Sequence, residues 1–218
     1  TADFTLQSTP ELQFQLLEGI SAEDLYITAE IDYPKMAQRH DFFLTGRLRE
    51  SEQRVFIDFM IKSEFSDWQG QLSATSRQAA IDSLLEHIKT PVIYQLLGDA
   101  HPPEISKATL LIAHQDKPDD LIILGHLIQS YIDTNELDKA MVMAEKYANT
   151  AFQQRNTLQL GQALTMQGDV LSRKDLYALS EEKLDVAMEK LELVDDVRRL
   201  SDVWLLRVRL AHNEGNYL

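Results

Sequence analysis

The amino-acid sequence predicts a mainly helical protein in which a small α+β domain, residues 1–100, precedes an all-α solenoid of helical hairpins, residues 101–218. Three observations support this prediction. Only 8 glycines and 6 prolines occur among the 218 residues, which is typical of a helical chain rather than an all-β one. Apolar residues alternate in the first half, as they do in strands. In the second half, similar residues recur at steps of 40.

The alternating residues predict a β-hairpin at 42–61. The segments "FFLTGRL" (42–48) and "RVFIDFMI" (54–61) flank the polar turn "RESEQ". Because successive side chains of a strand point to opposite faces, the second segment places four large apolar residues on one face, namely Val55, Ile57, Phe59 and Ile61. The segment "DWQGQLSA" (67–74) predicts a short third strand. We expect Trp68 to be buried against the hairpin, with an exposed indole as the alternative.

Helix signals surround this hairpin. The segment "TPELQFQLLEGI" predicts a helix that begins after Thr9. The segment "SAEDLYITAEIDY" (21–33) fits a helix through its capping residues and a strand through its alternation. The segment "SRQAAIDSLLEHI" (76–88) predicts a capped amphipathic helix, whose inward residues are Ala80, Ile81, Leu84, Leu85 and Ile88.

Three stretches of the second half share one pattern, and they begin at Leu124, Leu164 and Trp204. The same step of 40 relates four further sets of residues, which are Ile128, Gly168 and Val208; Tyr131, Leu171 and Ala211; Asn135, Asp175 and Gly215; and Leu137, Tyr177 and Tyr217. Each copy predicts a helix, a tight turn and a second helix. The second helices carry mostly small residues on one face, with Ala140, Ala144 and Tyr147 in the first copy and Ser180, Leu184 and Ala187 in the second. Such hairpins bury their apolar faces by stacking into a solenoid.

This order of large, small and turn residues resembles the tetratricopeptide repeat over residues 119–218. The period of 40 exceeds the usual length of about 34 residues and is similar to long-helix variants of the repeat, and the usual closing proline is missing. The resemblance implies a right-handed solenoid whose first helices line a concave groove. In this frame the groove residues are Gln129, Asp133, Thr165, Asp169, Arg173, Arg209 and His212. These side chains could clamp a peptide through charge-assisted hydrogen bonds, or they could form an ordinary solvated face.

The closing segment "HNEGNYL" (212–218) reaches the turn of the third copy and stops. We therefore expect the chain to be cut before a second helix, with a lone first helix acting as a cap as the alternative. Trp204 occupies the large-residue position of this copy, so we expect it to be packed in the core.

A second resemblance concerns residues 41–90. The segment "FFLTGRLRESEQRVFIDFMI", followed by Trp68 and a helix, is similar to the sensor portion of CadC-like membrane-anchored winged-helix regulators. The resemblance implies an extracytoplasmic sensor whose DNA-binding part and membrane span lie before Thr1. The cysteine pair of that family is absent here, so no redox switch is implied.

Composition excludes several classes of function for these residues. The formal net charge is −14 and the isoelectric point is about 4.8, so the surface repels nucleic acids and anionic membranes. The sequence contains no run of 18 apolar residues, so a membrane is reached only through an anchor outside these residues. Because there is no cysteine, disulfides, thiol nucleophiles and thiolate metal sites are excluded as well.

No catalytic motif is present. The patterns of phosphate-binding loops, nucleophile elbows, zinc proteases and dinucleotide-binding folds do not occur. The 6 histidines include no pair at i,i+3 or i,i+4 that could bind a metal from one helix. Acidic pairs such as Asp195-Asp196 fit helix starts and solvated faces better than acid–base chemistry. We therefore expect no enzyme activity, no cofactor and no metal, against the alternative of a site built from scattered carboxylates.

These observations predict a non-catalytic region for signal sensing and protein interaction within a larger regulatory protein. The expected partner is a protein or peptide, or a second copy of the chain. The CadC-like resemblance favours the sensor of a transmembrane transcription regulator on the periplasmic face of the inner membrane. The alternative is a cytoplasmic adaptor or scaffold of the tetratricopeptide type.

Overall fold

A computed structural model describes residues 42–51, 54–194 and 196–213. Within these residues an antiparallel sheet of three strands precedes eight helices, which confirms the predicted mainly helical fold with an α+β part first. The predicted helix after Thr9, the ambiguous segment 21–33 and the last five residues lie outside the described residues. The chain divides into two compact units between Pro102 and Pro103, and each is described by itself.

The sheet of the first unit has the order β1-β2-β3, with β1 at Phe43–Ser51, β2 at Arg54–Lys62 and β3 at Asp67–Ala74. Both pairs are antiparallel, and the central strand buries its four predicted apolar residues, Val55, Ile57, Phe59 and Ile61. The other face of β2 carries Asp58, which is also buried. Its carboxylate accepts hydrogen bonds from Arg49 at 3.1 Å and from Gln71 at 2.8 Å, so the buried charge is compensated.

Two helices follow the sheet, α1 at Arg77–Ile88 and α2 at Pro91–Leu97. The hydroxyl of Ser76 accepts a hydrogen bond from the amide of Ala79 at 3.2 Å and caps α1. Trp68 is buried, as predicted, and its indole N–H donates to Nε2 of His87 at 3.1 Å. A neutral His87 is therefore part of this core.

The inward face of α1 differs from the predicted one. Ala80 and Ile88 are buried, but Ile81 and Leu85 are exposed and His87 takes a buried place instead. The reason is that α1 packs against β2 and β3, so the helix side that carries residues 81 and 85 has no strand beneath it among the described residues. Hydrophobic periodicity identified the helix and misplaced its buried face by part of a turn.

The described residues of the second unit form six helices, each packed against the next along the chain. They are α3 (Pro103–Asp116), α4 (Leu121–Asp133), α5 (Leu137–Gln153), α6 (Thr157–Arg173), α7 (Tyr177–Glu192) and α8 (Val197–Asn213). The residues that the repeat pattern assigns to the second helices, α5 and α7, are all buried, namely Ala140, Ala144, Tyr147, Ser180, Leu184 and Ala187.

The turns of this unit recur every 20 residues, which is half of the sequence period. Helices α5 to α8 begin at 137, 157, 177 and 197. The preceding turns place Asn135, Arg155 and Asp175 at φ of 56°, 53° and 58°. Each next amide donates to a carbonyl five residues earlier, from residues 136, 156 and 176 at 2.8, 2.9 and 3.0 Å, which is the Schellman arrangement of a helix end. Asp196 makes the same bond to Leu191 at 3.2 Å.

Ion pairs attach α3 to the hairpin of α4 and α5. Lys107 of α3 pairs with Glu136 at the start of α5, and Lys139 pairs with the same carboxylate. Hydrogen bonds from Lys107, Lys139 and Thr134 lower the pKa of Glu136 to about 2. Lys146 of α5 donates to Nε2 of His114 at 3.2 Å. The pKa of His114 is lowered mainly by burial and secondly by the positive charge of Lys146. Both contacts favour a fixed position for α3 on α5.

Glycines set the distance between α6 and α7. A Cβ atom added to Gly168 would lie 2.6 Å from Cδ2 of Leu184, whose side chain is fully buried. The hydroxyl of Ser180 also donates to the carbonyl of Gly168 at 2.8 Å. Gly125 on α4 is different, since its nearest neighbour would be Cε1 of Tyr147 at 3.7 Å, an ordinary contact. Only the first of these two positions therefore requires glycine for packing.

The third copy of the repeat does not have the burial pattern of the first two. Leu164 is buried, whereas Trp204, its equivalent on α8, is 54% exposed, so the prediction of a core position for Trp204 was wrong. Val208, which stands 40 residues after Gly168, is 67% exposed. Helix α8 buries Val203 and Leu210 instead. The physical reason is that α7 covers Leu164 and Gly168, while no helix follows α8 within the described part of the chain.

Replacing Gly168 by alanine is expected to destabilise the second unit. Overpacking a dense core costs about 1–3 kcal/mol, which exceeds the gain in helix propensity of about 1 kcal/mol. We expect a net loss of about 1 kcal/mol in the free energy of unfolding, measured by urea denaturation followed by far-UV circular dichroism. Gly125→Ala is the matched control and should be neutral or stabilising. Equal effects of the two substitutions would contradict the packing argument.

Replacing Arg155 by glycine is expected to stabilise the protein. The left-handed conformation costs a residue with a side chain about 1–2 kcal/mol, and glycine avoids this cost while losing about 0.5–1 kcal/mol through its freer unfolded state. We expect a net gain of about 0.5–1 kcal/mol, seen as a higher midpoint of thermal unfolding. Arg155→Ala removes the same side chain but keeps the strain, so it should bring no gain. A glycine variant no more stable than the alanine variant would rule out relief of backbone strain.

Candidate functional site

The seven predicted groove residues lie on the first helices of the three copies. Gln129 and Asp133 are on α4; Thr165, Asp169 and Arg173 are on α6; Arg209 and His212 are on α8. All seven are exposed or half-buried. We call this set the polar stripe, which comprises Gln129, Asp133, Thr165, Asp169, Arg173, Arg209 and His212.

Helix α6 shows why the stripe faces outward. Most of its residues are buried between α5 and α7, including Ala163, Gly168 and Val170. The positions that remain accessible toward its carboxyl end are 162, the adjacent pair 165 and 166, 169 and 173, and successive members of this set outside the pair lie three or four residues apart. In an α-helix such steps lie on one side. The polar residues of α6 therefore occupy the side that neither neighbouring helix covers.

Three members of the stripe form one ion-paired cluster. Nη2 of Arg209 lies 2.6 Å from Oδ1 of Asp169, and Nε of Arg173 lies 3.2 and 3.1 Å from the two oxygens of the same carboxylate. The side chain of Asp169 is only 14% exposed, compared with 42% for Arg173 and 48% for Arg209. We call these three residues the triad; its formal charge is +1.

The triad joins two copies of the repeat, because Asp169 and Arg209 stand 40 residues apart on α6 and α8. The partly buried carboxylate holds two guanidinium groups at the surface between these helices. Each arginine uses one nitrogen for Asp169, and a guanidinium carries five N–H donors. The cluster therefore presents oriented donors that suit a carboxylate or another anionic group.

Two of the remaining predicted residues make hydrogen bonds within their own helices. Nε2 of Gln129 donates to Oδ1 of Asp133 at 2.8 Å, within one turn of α4. The hydroxyl of Thr165 donates to the carbonyl of Gly161 at 2.9 Å, inside its own helix. His212 is exposed near the end of α8. The stripe is thus one surface along three helices, with its charged centre at the triad.

One neighbour of the stripe was missed by the sequence reasoning. Leu205 stands 40 residues after Thr165, so it holds the equivalent position on α8, and it is 68% exposed. An exposed leucine one helical turn before Arg209 adds an apolar contact beside the cationic groups. The step of 40 could have identified this residue, but a polar pattern alone passes over it.

Other kinds of site find no support in the described residues. No group of three or more His, Cys, Asp or Glu side chains is placed to hold a metal ion there. The helices of residues 77–213 are all too short or too polar to cross a membrane. Neither finding bears on the residues outside the described ranges.

No protein family, no characterised protein and no solved structure matches this chain. The resemblances to the tetratricopeptide repeat and to CadC-like sensors therefore stay predictions from the sequence.

Proposed function

We propose that this chain is a non-catalytic region for signal sensing and protein interaction within a larger regulatory protein, and that it binds a peptide or partner protein along the polar stripe. The observation that supports this proposal most is the triad, in which Arg209 and Asp169 pair at 2.6 Å across two copies of the repeat. A cluster of charges held across two helices is more ordered than a set of independent solvated side chains.

Orientation of the two arginines is the physical basis of the proposed binding. Free arginine side chains lose about 2 kcal/mol of conformational entropy when a partner fixes them. Asp169 already restrains both guanidinium groups, so part of that cost is met before a partner arrives. Hydrogen bonds to charged groups contribute about 1.5–3 kcal/mol each, enough for a carboxylate to be recognised.

The chemistry beside the triad narrows the expected partner. Leu205 is exposed on α8 one turn from Arg209. A suitable ligand therefore carries an acidic group for the arginines and an apolar side chain for Leu205. We expect a short peptide segment with an Asp, a Glu or a carboxyl terminus next to a large apolar residue.

Selection from a random peptide library tests this proposal. We expect enriched peptides to combine an acidic with an apolar residue, and Arg173→Ala or Arg209→Ala to weaken binding about tenfold, the effect of losing one charge-assisted hydrogen bond. Fluorescence anisotropy with a labelled peptide provides the affinity. Arg155→Ala is the matched control, because Arg155 is an exposed arginine in the turn before α6, outside the stripe. Unchanged affinity in both stripe variants, or no enriched sequence, would count against the assignment.

The larger protein that this region serves is a separate part of the proposal. The sequence of residues 41–90, whose described part folds as three strands and a helix, resembles the sensors of CadC-like transcription regulators. We propose on that basis an extracytoplasmic sensor attached to a membrane-anchored regulator. A cytoplasmic adaptor that binds its partner through the same stripe is the alternative.

Fractionation of the source cells distinguishes these two alternatives. For the sensor, an antibody should detect a protein well above 25.0 kDa in the membrane fraction, because the anchor and the DNA-binding part add mass. Protease added to spheroplasts should remove the epitope, whereas a cytoplasmic protein used as control should survive. A protease-resistant band in the cytoplasmic fraction would instead support the adaptor.

A further inference from the structure

Asp133, the last residue of α4, belongs to the polar stripe but not to the triad. It is exposed, and Nε2 of Gln129 donates to its Oδ1 at 2.8 Å. No lysine or arginine of the described ranges pairs with its carboxylate. The two lysines nearest the turn after α4, Lys107 and Lys139, both pair with Glu136 instead. The carboxylate of Asp133 is therefore oriented by Gln129 but not neutralised by this part of the chain.

The repeat relates Asp133 to a place where an aspartate does bind an arginine. Asp169 and Arg209 stand 40 residues apart, and they pair at 2.6 Å between α6 and α8. Asp133 and Arg173 also stand 40 residues apart, at the ends of α4 and α6. In both cases an aspartate on one first helix is followed by an arginine at the equivalent position of the next. The fold makes the contact between α6 and α8, whereas Arg173 pairs with Asp169 of its own helix.

The difference in burial between the two aspartates explains the choice that Arg173 makes. The side chain of Asp169 is only 14% exposed, whereas Asp133 is an exposed residue. Opposite charges attract more strongly where water is partly excluded, so a guanidinium gains more beside Asp169. Asp133 therefore keeps the geometry of an arginine-binding position, while the arginine that the repeat places opposite it is engaged elsewhere.

The end of α4 favours a cation for a second reason. The C-terminal end of a helix carries a partial negative charge, so a carboxylate there is stabilised by a nearby positive group. A guanidinium suits this place best, because it can form two parallel hydrogen bonds with a carboxylate. We propose that Asp133 and Gln129 form a subsite for a basic side chain, preferably an arginine, of the peptide whose acidic group the triad binds. This inference rests on the proposed function and adds the charge pattern of the ligand.

The packing of the first helices sets the spacing of the two charges in the ligand. Helix α4 packs against α6, and α6 packs against α8. The axes of helices in contact are about 8–10 Å apart, so one or two such distances separate Asp133 from the arginines of the triad. Because an extended peptide covers about 3.3 Å with each residue, we expect its basic and acidic residues about three to six positions apart.

Selection from a focused peptide library tests this inference. Every member of the library holds a glutamate next to a leucine, and all other positions are random. With the wild-type protein we expect arginine or lysine to be enriched about three to six positions from the glutamate. Asp133→Asn should abolish this enrichment, and Asp133→Arg should enrich acidic residues instead, because the charge of the subsite is reversed. Asp116→Asn is the matched control, since Asp116 is an exposed aspartate at the last position of α3, outside the stripe.

Fluorescence anisotropy with an enriched peptide measures how strongly its basic residue is coupled to Asp133. Alanine in place of that basic residue should weaken binding to the wild-type protein about threefold to fivefold, the effect of one exposed ion pair. The same replacement should change binding to the Asp133→Asn variant much less, because the subsite then has no carboxylate. Circular dichroism confirms that each variant is folded.

The outcomes separate this inference from the proposed function. Enriched peptides without a basic residue, whose binding Arg209→Ala still weakens, would overturn the subsite and leave peptide binding at the triad intact. No enriched peptide, or equal binding to Arg209→Ala and wild type, would overturn both. Loss of the basic residue from the peptides selected by Asp116→Asn would also overturn the subsite, because the overall negative charge of the protein, rather than Asp133, would then select it.

Discussion

The left-handed turn that recurs every 20 residues is the constraint on which the second unit depends. Asn135, Arg155 and Asp175 each end a helix with positive φ, and the next amide closes the turn on a carbonyl five residues earlier. Because these chain reversals are equally spaced, successive helices contain equal numbers of helical turns. Contacts made by one hairpin can therefore be repeated by the next. The close approach of α6 and α7 at Gly168 works only because the turn at Asp175 returns the chain in this register.

The polar stripe follows from the same constraint. Because α6 and α8 are related by 40 residues, Asp169 and Arg209 hold equivalent places on neighbouring first helices, and side chains of opposite charge there meet at 2.6 Å. Within α6, Arg173 reaches the same carboxylate from one turn further on. The regular backbone thus brings together residues that are far apart in sequence, and the residue types at three positions turn that proximity into a cationic surface.

Sequence patterns predicted most of the helices and strands, but they predicted fewer of the contacts between them. Alternation identified strand β2, and the step of 40 identified the hairpins, because both signals come from local geometry. The 20-residue step escaped notice because arginine at 155 carries no turn signal, although the backbone there is left-handed. Trp204 was misplaced because burial depends on what packs next to a helix. The pairing of Arg209 with Asp169 required knowledge of which positions face each other across two helices.

Helix α8 carries two kinds of surface, the arginine of the triad and the exposed apolar residues Trp204 and Val208, and they differ in how favourable their contact with water is. The arginines of the triad have their counter-charge at Asp169, and solvent screens what remains, so this side is stable without a partner. The exposed apolar residues Trp204 and Val208 have no such compensation, because burying an exposed valine or tryptophan gains about 25 cal/mol for each Å² removed from water. Burial of Trp204 and Val208 by another surface would therefore lower the free energy. At the triad, in contrast, a partner must compete with an existing ion pair. Recognition at the triad is expected to be governed by charge and to weaken with salt.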